Sequence, residues 1–207
     1  MPNLLYVNAS PRGEQSASGA AADVFLEALD GSVEVSRLDL FDIALPEVTA
    51  EVTSAKMKFA MGVELTAEEA DQWGAVVELV DAFKAADGYL FALPMWNFAV
   101  PYKFKHYIDL ITHPGLTFTQ GPDGPKGLAS GPAVAIYSRG GDYSPKDGVP
   151  DPFDFQSTYV QGWSQLVGLT LHPVLVQRTL AGPDAAEQAV QGASAELSAL
   201  AKSLFSG

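Results

Sequence analysis

Residues 88–111 read GYLFALPMWNFAVPYKFKHYIDLI. The first six, Gly88-Tyr89-Leu90-Phe91-Ala92-Leu93, are apolar without interruption, the mark of a strand covered on both faces. From Tyr102 to Thr112 the spacing becomes helical, with Phe104, Tyr107, Ile108 and Ile111 on one side. A buried strand feeding a helix through a short connection is one half of a parallel β-α-β unit. The connection itself is unusual. Pro94-Met95-Trp96-Asn97-Phe98 puts large apolar side chains where a polar turn is expected, so they either pack into the core or line a pocket for something flat.

The pattern repeats on either side. Asn3 to Asn8 is a short buried strand, followed by a polar loop (Ser10–Gly19) and a helical stretch from Ala20 to Leu29. Val33 to Leu40 alternates as an edge strand would. Pro46 to Leu65 has no clear period. Thr66-Ala67-Glu68-Glu69 is a capping signature for a helix running to Ala86. Beyond the opening stretch, Gly115 to Gln120 and the following GPDGPKG predict a small hairpin, and Ala133 to Tyr137 another buried strand. A helix over Phe155–Val167 and a strand over Leu169–Val176 follow, the latter at an edge because it contains Pro173. A last amphipathic helix covers Asp184–Phe205. The expected fold is α/β: one domain over residues 1–207, a five-stranded parallel sheet in the flavodoxin-like doubly wound order 2-1-3-4-5, with helices on both faces. In such sheets ligands bind beyond the carboxyl ends of the strands, at the switch point. Ser10–Ser18, Pro94–Phe98 and Ser138–Tyr143 should therefore converge.

Each loop has two readings. Ser10, Ser16 and Ser18 can cap a helix, or can join its free N–H groups and positive dipole end in holding a phosphate. Neither G-x-G-x-x-G nor the P-loop pattern is present. Met95, Trp96 and Phe98 can border a flat heterocycle while Asn97 bonds its polar edge. Ser138-Arg139-Gly140-Gly141 is either a plain glycine turn or a close approach of backbone to ligand, with Arg139 adding charge near a ring edge.

Composition removes other classes. The 207 residues carry no cysteine, so disulfides and thiolate chemistry are absent. A net charge of −13 disfavours nucleic acid and anionic membrane as partners. MPNLLYVNAS has no basic leader region, and a cytoplasmic protein is expected. Lys103, Lys105, His106 and His113 collect positive charge beside the aromatic stretch. Pro114 ends the helix that would align the two histidines, no carboxylate pair stands near them, and no metal is expected. There is no G-x-S-x-G nucleophile elbow, and pairs such as Glu68-Glu69 read as solvated positions.

SPRGEQSAS, PMWNFAVPYKFKHYIDLITHPGLTF and SRGGDYS together resemble the flavin-binding segments of the FMN-dependent NADH:quinone oxidoreductases, also called azoreductases. The resemblance runs in order over almost the whole chain. It implies that Ser10, Ser16, Ala17 and Ser18 hold the FMN phosphate. Pro94, Met95, Trp96, Asn97 and Phe98 would hold the isoalloxazine, with Ser138, Arg139, Gly140 and Gly141 along its pyrimidine side. Trp96 stands where the family more often has tyrosine. The resemblance further implies a homodimer, with Tyr143 at the substrate position and Gln120 and Trp163 as candidate lining from the partner subunit. The implied activity is ping-pong transfer of a hydride, two electrons, from NADH or NADPH to quinones or azo compounds, with no side chain acting as catalytic acid or base. The rivals are a flavodoxin-type electron carrier, which the acidity would suit, and an NAD(P)H:flavin reductase.

Overall fold

The computed structural model describes residues 1–205. Five strands form one parallel sheet: β1 (Asn3–Asn8), β2 (Glu34–Asp39), β3 (Gly88–Pro94), β6 (Pro132–Ser138) and β7 (Thr170–Val176). Their spatial order is β2-β1-β3-β6-β7, the 2-1-3-4-5 order expected, and every pairing is parallel. A separate antiparallel hairpin joins β4 (Phe118–Gly121) to β5 (Gly124–Gly127). Six α-helices accompany them among the described residues: α1 (Ala17–Glu27), α2 (Ala50–Met61), α3 (Ala67–Lys84), α4 (Tyr102–Ile111), α5 (Phe155–Val167) and α6 (Ala185–Phe205).

The pleat sends alternate side chains to opposite faces. Leu4, Tyr6, Leu90, Ala92, Val134 and Ile136 meet α1 and α6 in one core. Leu5, Val7, Phe91, Leu93, Ala135 and Tyr137 enter a larger core with α3, α4 and α5. The centre of the second core is aromatic: Phe91 lies 5.7 Å from Phe104 and 5.8 Å from Trp163, and Phe83 5.8 Å from Trp163. Pairs of this kind add about 0.5–1.5 kcal/mol each beyond the area they bury. Pro173 does lie on an edge strand, since among the described residues β7 pairs with β6 alone.

Two differences from expectation have physical reasons. α1 begins at Ala17, not Ala20, because the Ser16 hydroxyl accepts from the Gly19 N–H and starts the helix there. The aperiodic stretch 46–65 contains α2, capped by Thr49 and closed by Gly62 at φ 66°. Only Val52 and Ala55 of α2 are buried, so the helix has almost no apolar stripe to read. The α3 capping box forms as expected, with Thr66 and Glu69 bonded in both directions.

Candidate active site

The three loops leave the carboxyl ends of β1, β3 and β6, which are neighbours in the sheet. The first is shaped by its own polar groups. The Asn8 amide donates to Asp39 at 2.8 Å and accepts from the Ser10 N–H at 3.1 Å, tying the ends of β1 and β2 together. Ser16 and Ser18 hydroxyls are 3.1 Å apart and buried. The first intrahelical bond runs from Ala20 N–H to the Ser16 carbonyl, which leaves the Ala17 and Ser18 N–H groups at the helix mouth without an intrahelical acceptor. Ser16 is thus an N-cap, and the same turn still offers donors and a positive dipole end to an anion.

The second loop is a tight turn. Trp96 N–H donates to the Ala99 carbonyl at 2.9 Å, and Ala99 N–H donates back at 3.0 Å. Both central residues have positive φ, Asn97 at 48° and Phe98 at 71°. Asparagine tolerates this region; phenylalanine is an outlier there, at a cost of about 1–3 kcal/mol. Such strain persists only where the surroundings enforce it, and it concentrates at functional sites. The turn divides the aromatics into two walls. Trp96 packs with Phe41 (5.6 Å) and Tyr102 (6.4 Å), while Phe98 packs with Phe153 (5.0 Å) and Tyr143 (6.3 Å). Asn97 is exposed between them, and Phe98 remains 43% exposed.

In the third loop Ser138 is buried, and its carbonyl accepts from Met95 N–H at 2.8 Å. A Cβ on Gly140 would sit 2.7 Å from a Leu180 methyl, so the chain passes close there. Arg139 corrects an expectation. Its side chain is only 1% exposed and turns inward, onto both carboxylate oxygens of Asp154 at 2.9 and 3.0 Å. Its charge is matched inside the protein.

Three of the four cationic groups expected beyond the aromatic stretch are otherwise engaged. Lys105 pairs with Asp109 at 2.6 Å, and His106 Nε2 sits 2.8 Å from the Pro46 carbonyl. His113 is buried against Trp73, its ring nitrogens unpartnered. Desolvation, with a push from the Lys56 charge, lowers its pKa to about 4, so it is neutral. Among the described residues no cluster of three or more His, Asp or Glu could hold a metal.

Of the expected substrate residues, Tyr143 stands at the rim and Gln120 is exposed on β4, remote from the loops in sequence. Trp163 is in the monomer's own aromatic core, where its indole N–H donates to the Thr112 hydroxyl at 3.0 Å. Phe41, Tyr102 and Phe153 went unremarked at the site. Phe41 was findable, because it lies just past the carboxyl end of β2. A cavity of about 610 Å³ lies over β7 beyond the third loop. None of Ser10–Ser18 or Met95–Phe98 lines it, so it is not where the three loops converge.

Ser hydroxyls, free helix N–H groups, two aromatic walls and a side-chain amide suit a phosphorylated flat heterocycle such as FMN. Known proteins share the fold and most of the chain. Residues 2–201 match the family described as having a flavodoxin-like fold. An FMN-dependent NADH:quinone oxidoreductase from Desulfotalea psychrophila is 41% identical over 100% of this chain and 99% of its own. One from Nitratidesulfovibrio vulgaris is 40% identical over 90% of this chain and 92% of its own. An FMN-dependent NADH-azoreductase from Bacillus anthracis, solved in complex with FMN, superposes with a TM-score of 0.87 at 27% identity over the whole of both chains. The chain belongs to this flavodoxin-like family, that of the FMN-dependent NADH:quinone oxidoreductases.

Proposed function

We propose that this protein is an FMN-dependent oxidoreductase passing reducing equivalents from NADH or NADPH to quinones and azo compounds. The observation that carries the proposal is the strained Asn97-Phe98 turn, set between two aromatic walls and beside a helix mouth furnished with hydroxyls. Ala17 and Ser18 N–H groups, with the Ser10, Ser16 and Ser18 hydroxyls, hold the phosphate. Pro94, Met95, Trp96 and Phe98 border the ring, and Asn97 bonds its polar edge. Ser138, Gly140 and Gly141 follow its pyrimidine side, while Arg139 supports that loop from beneath. FMN held there supplies the hydride-accepting and hydride-donating chemistry. The chain binds, orients and shields. One open aromatic site serves two flat substrates in succession, which gives ping-pong kinetics.

The proposal includes a homodimer, with Gln120 and Tyr143 at the substrate rim, and a cytoplasmic location, where nicotinamide donors are supplied. The net charge of −13 favours a second reading, a carrier that docks on basic partners. Purified protein should release FMN on heating, bleach anaerobically with one of the nicotinamides, and consume it steadily once a quinone is added. A flavin that bleaches but does not turn over would favour the carrier. Dependence on excess free flavin would favour a flavin reductase, and release of FAD would overturn the cofactor assignment.

A further inference from the structure

β3 ends in Pro94, whose register partner in β6 is Ser138. Proline brings no N–H, so the ladder loses a donor where the ring-binding loop begins. A buried side-chain chain takes over at this point. Gln156, with no exposed surface, donates from Nε2 to the Leu93 carbonyl at 2.9 Å. Its Oε1 accepts from Arg139 Nε at 3.0 Å. The orientation of this amide is fixed, because a guanidinium only donates and a carbonyl only accepts. Arg139 Nη2 is held by Asp154, which also caps α5 by accepting from the Ser157 N–H at 2.9 Å. The Met95 N–H to Ser138 carbonyl bond completes a closed loop of contacts: Leu93, Met95, Ser138, Arg139, Gln156 and back to Leu93.

We propose that Gln156 and Arg139 are positioning residues that set the geometry of the ring-binding turn. They lie beneath the loops and act on a flavin only through Met95 and the strained turn after it. This inference rests on the FMN reading above. The chain of contacts locks the carboxyl ends of β3 and β6 to each other and to the start of α5. A turn with two non-glycine residues at positive φ holds only when its ends are fixed, and Leu93 and Met95 are the fixed points just ahead of it. The phosphate loop shares none of these bonds; its anchors are Asn8, Asp39 and Ser16. Disturbing the relay should therefore alter how the ring is held and leave the helix mouth intact.

Gln156→Glu isolates one bond. The carboxylate, ionised beside Arg139, still accepts from Nε and can no longer donate to the Leu93 carbonyl. Gln156→Met removes both bonds. Val160→Ala, a core truncation in the same helix at a fully buried site, is the control for lost stability alone. The readouts are FMN affinity by fluorescence quenching, visible circular dichroism of the bound flavin, and its two-electron midpoint potential. Both Gln156 variants are expected to weaken FMN binding at least tenfold, to flatten the visible dichroism, and to move the potential toward that of free FMN. Val160→Ala should lower Tm without these changes. Wild-type affinity, dichroism and potential in a folded Gln156→Glu protein would overturn the proposal. Wild-type protein that binds no FMN would instead remove the reading on which it stands.

Discussion

Asn97 and Phe98 combine two features that rarely coincide, left-handed backbone and exposed side chains in a strand-to-helix turn. They can be separated experimentally. Asn97→Gly supplies the φ of 48° without strain and deletes only the amide. Thermal unfolding of apo protein should change little, while flavin binding weakens by about 1–3 kcal/mol, the usual cost of an unmade polar contact. Equal affinities in the two proteins would remove Asn97 from the site. His113 makes a second residue-level prediction. Its folded pKa, about 4, lies below the ordinary 6.5, so protons favour the unfolded chain. Stability is complete above pH 6.5 and is lost as pH falls through 4, on the order of 3 kcal/mol by pH 4. Lys56 on α2 and Trp73 on α3 face this ring, and Thr117 bonds its backbone N–H. His113→Leu should flatten this window in urea titrations run from pH 7 to 4. Glu69 acts lower: hydrogen bonds from Lys58, the Thr66 N–H and Ser54 lower its pKa to about 2, so its contribution fades between 4.5 and 2. At this scale the sequence disclosed which residue types the three loops bring to the candidate site but not where long side chains point. Arg139 read as a charge near a ring edge because its partner, Asp154, is fifteen positions away.

At the scale of elements, legibility followed the source of each element's stability. α3 and α5 were readable because their caps and apolar stripes are local. α2 was not, since polar bonds from Ser54 and Lys58 to Glu69 of α3, each 2.7 Å, do much to hold it. Thr66→Ala removes the reciprocal cap on which that carboxylate is oriented. It should cost about 1 kcal/mol in urea unfolding, within the range for lost N-caps. An unchanged midpoint would mean that α3 holds Glu69 without its cap. The hairpin is fixed differently. A Cβ on Gly127 would stand 2.2 Å from backbone atoms of Val167 and Gly168, so β5 rests directly on the end of α5. Gly127→Ala should destabilise by about 1–3 kcal/mol through overpacking. A Tm equal to wild type would show that the hairpin moves aside freely.

For the whole molecule, strand order was legible because the three central strands are nearly continuous apolar runs, whereas assembly was obscured. Trp73 and Trp163 are 4% and 5% exposed and belong to the monomer core, so neither is open to a subunit interface. Other large apolar side chains remain outside. Met57 and Met61 of α2 are 56% and 64% exposed, and Phe153 and Phe155 before and at the start of α5 are 53% and 57% exposed. A recess of about 480 Å³ lies between α2, α4 and α5, and one of about 310 Å³ between α2 and α4; they share Lys56 and Asp109. α4 starts just past the ring-binding turn, so a second copy seated there would border the site. Methionine and aromatic side chains favour interfaces, and a closed twofold pair covers such a face without leaving a free end. Two chains of −13 repel, so association has to come from apolar burial and should tighten as salt screens the charge. Sedimentation equilibrium at micromolar protein should give twice 21.9 kDa, with a dissociation constant that falls between low salt and 0.5 M. Met57→Asp with Phe155→Glu should shift the mass toward the monomer. A wild-type mass near 21.9 kDa, with flavin bound and turnover intact, would sink the dimer and leave the site complete within one chain.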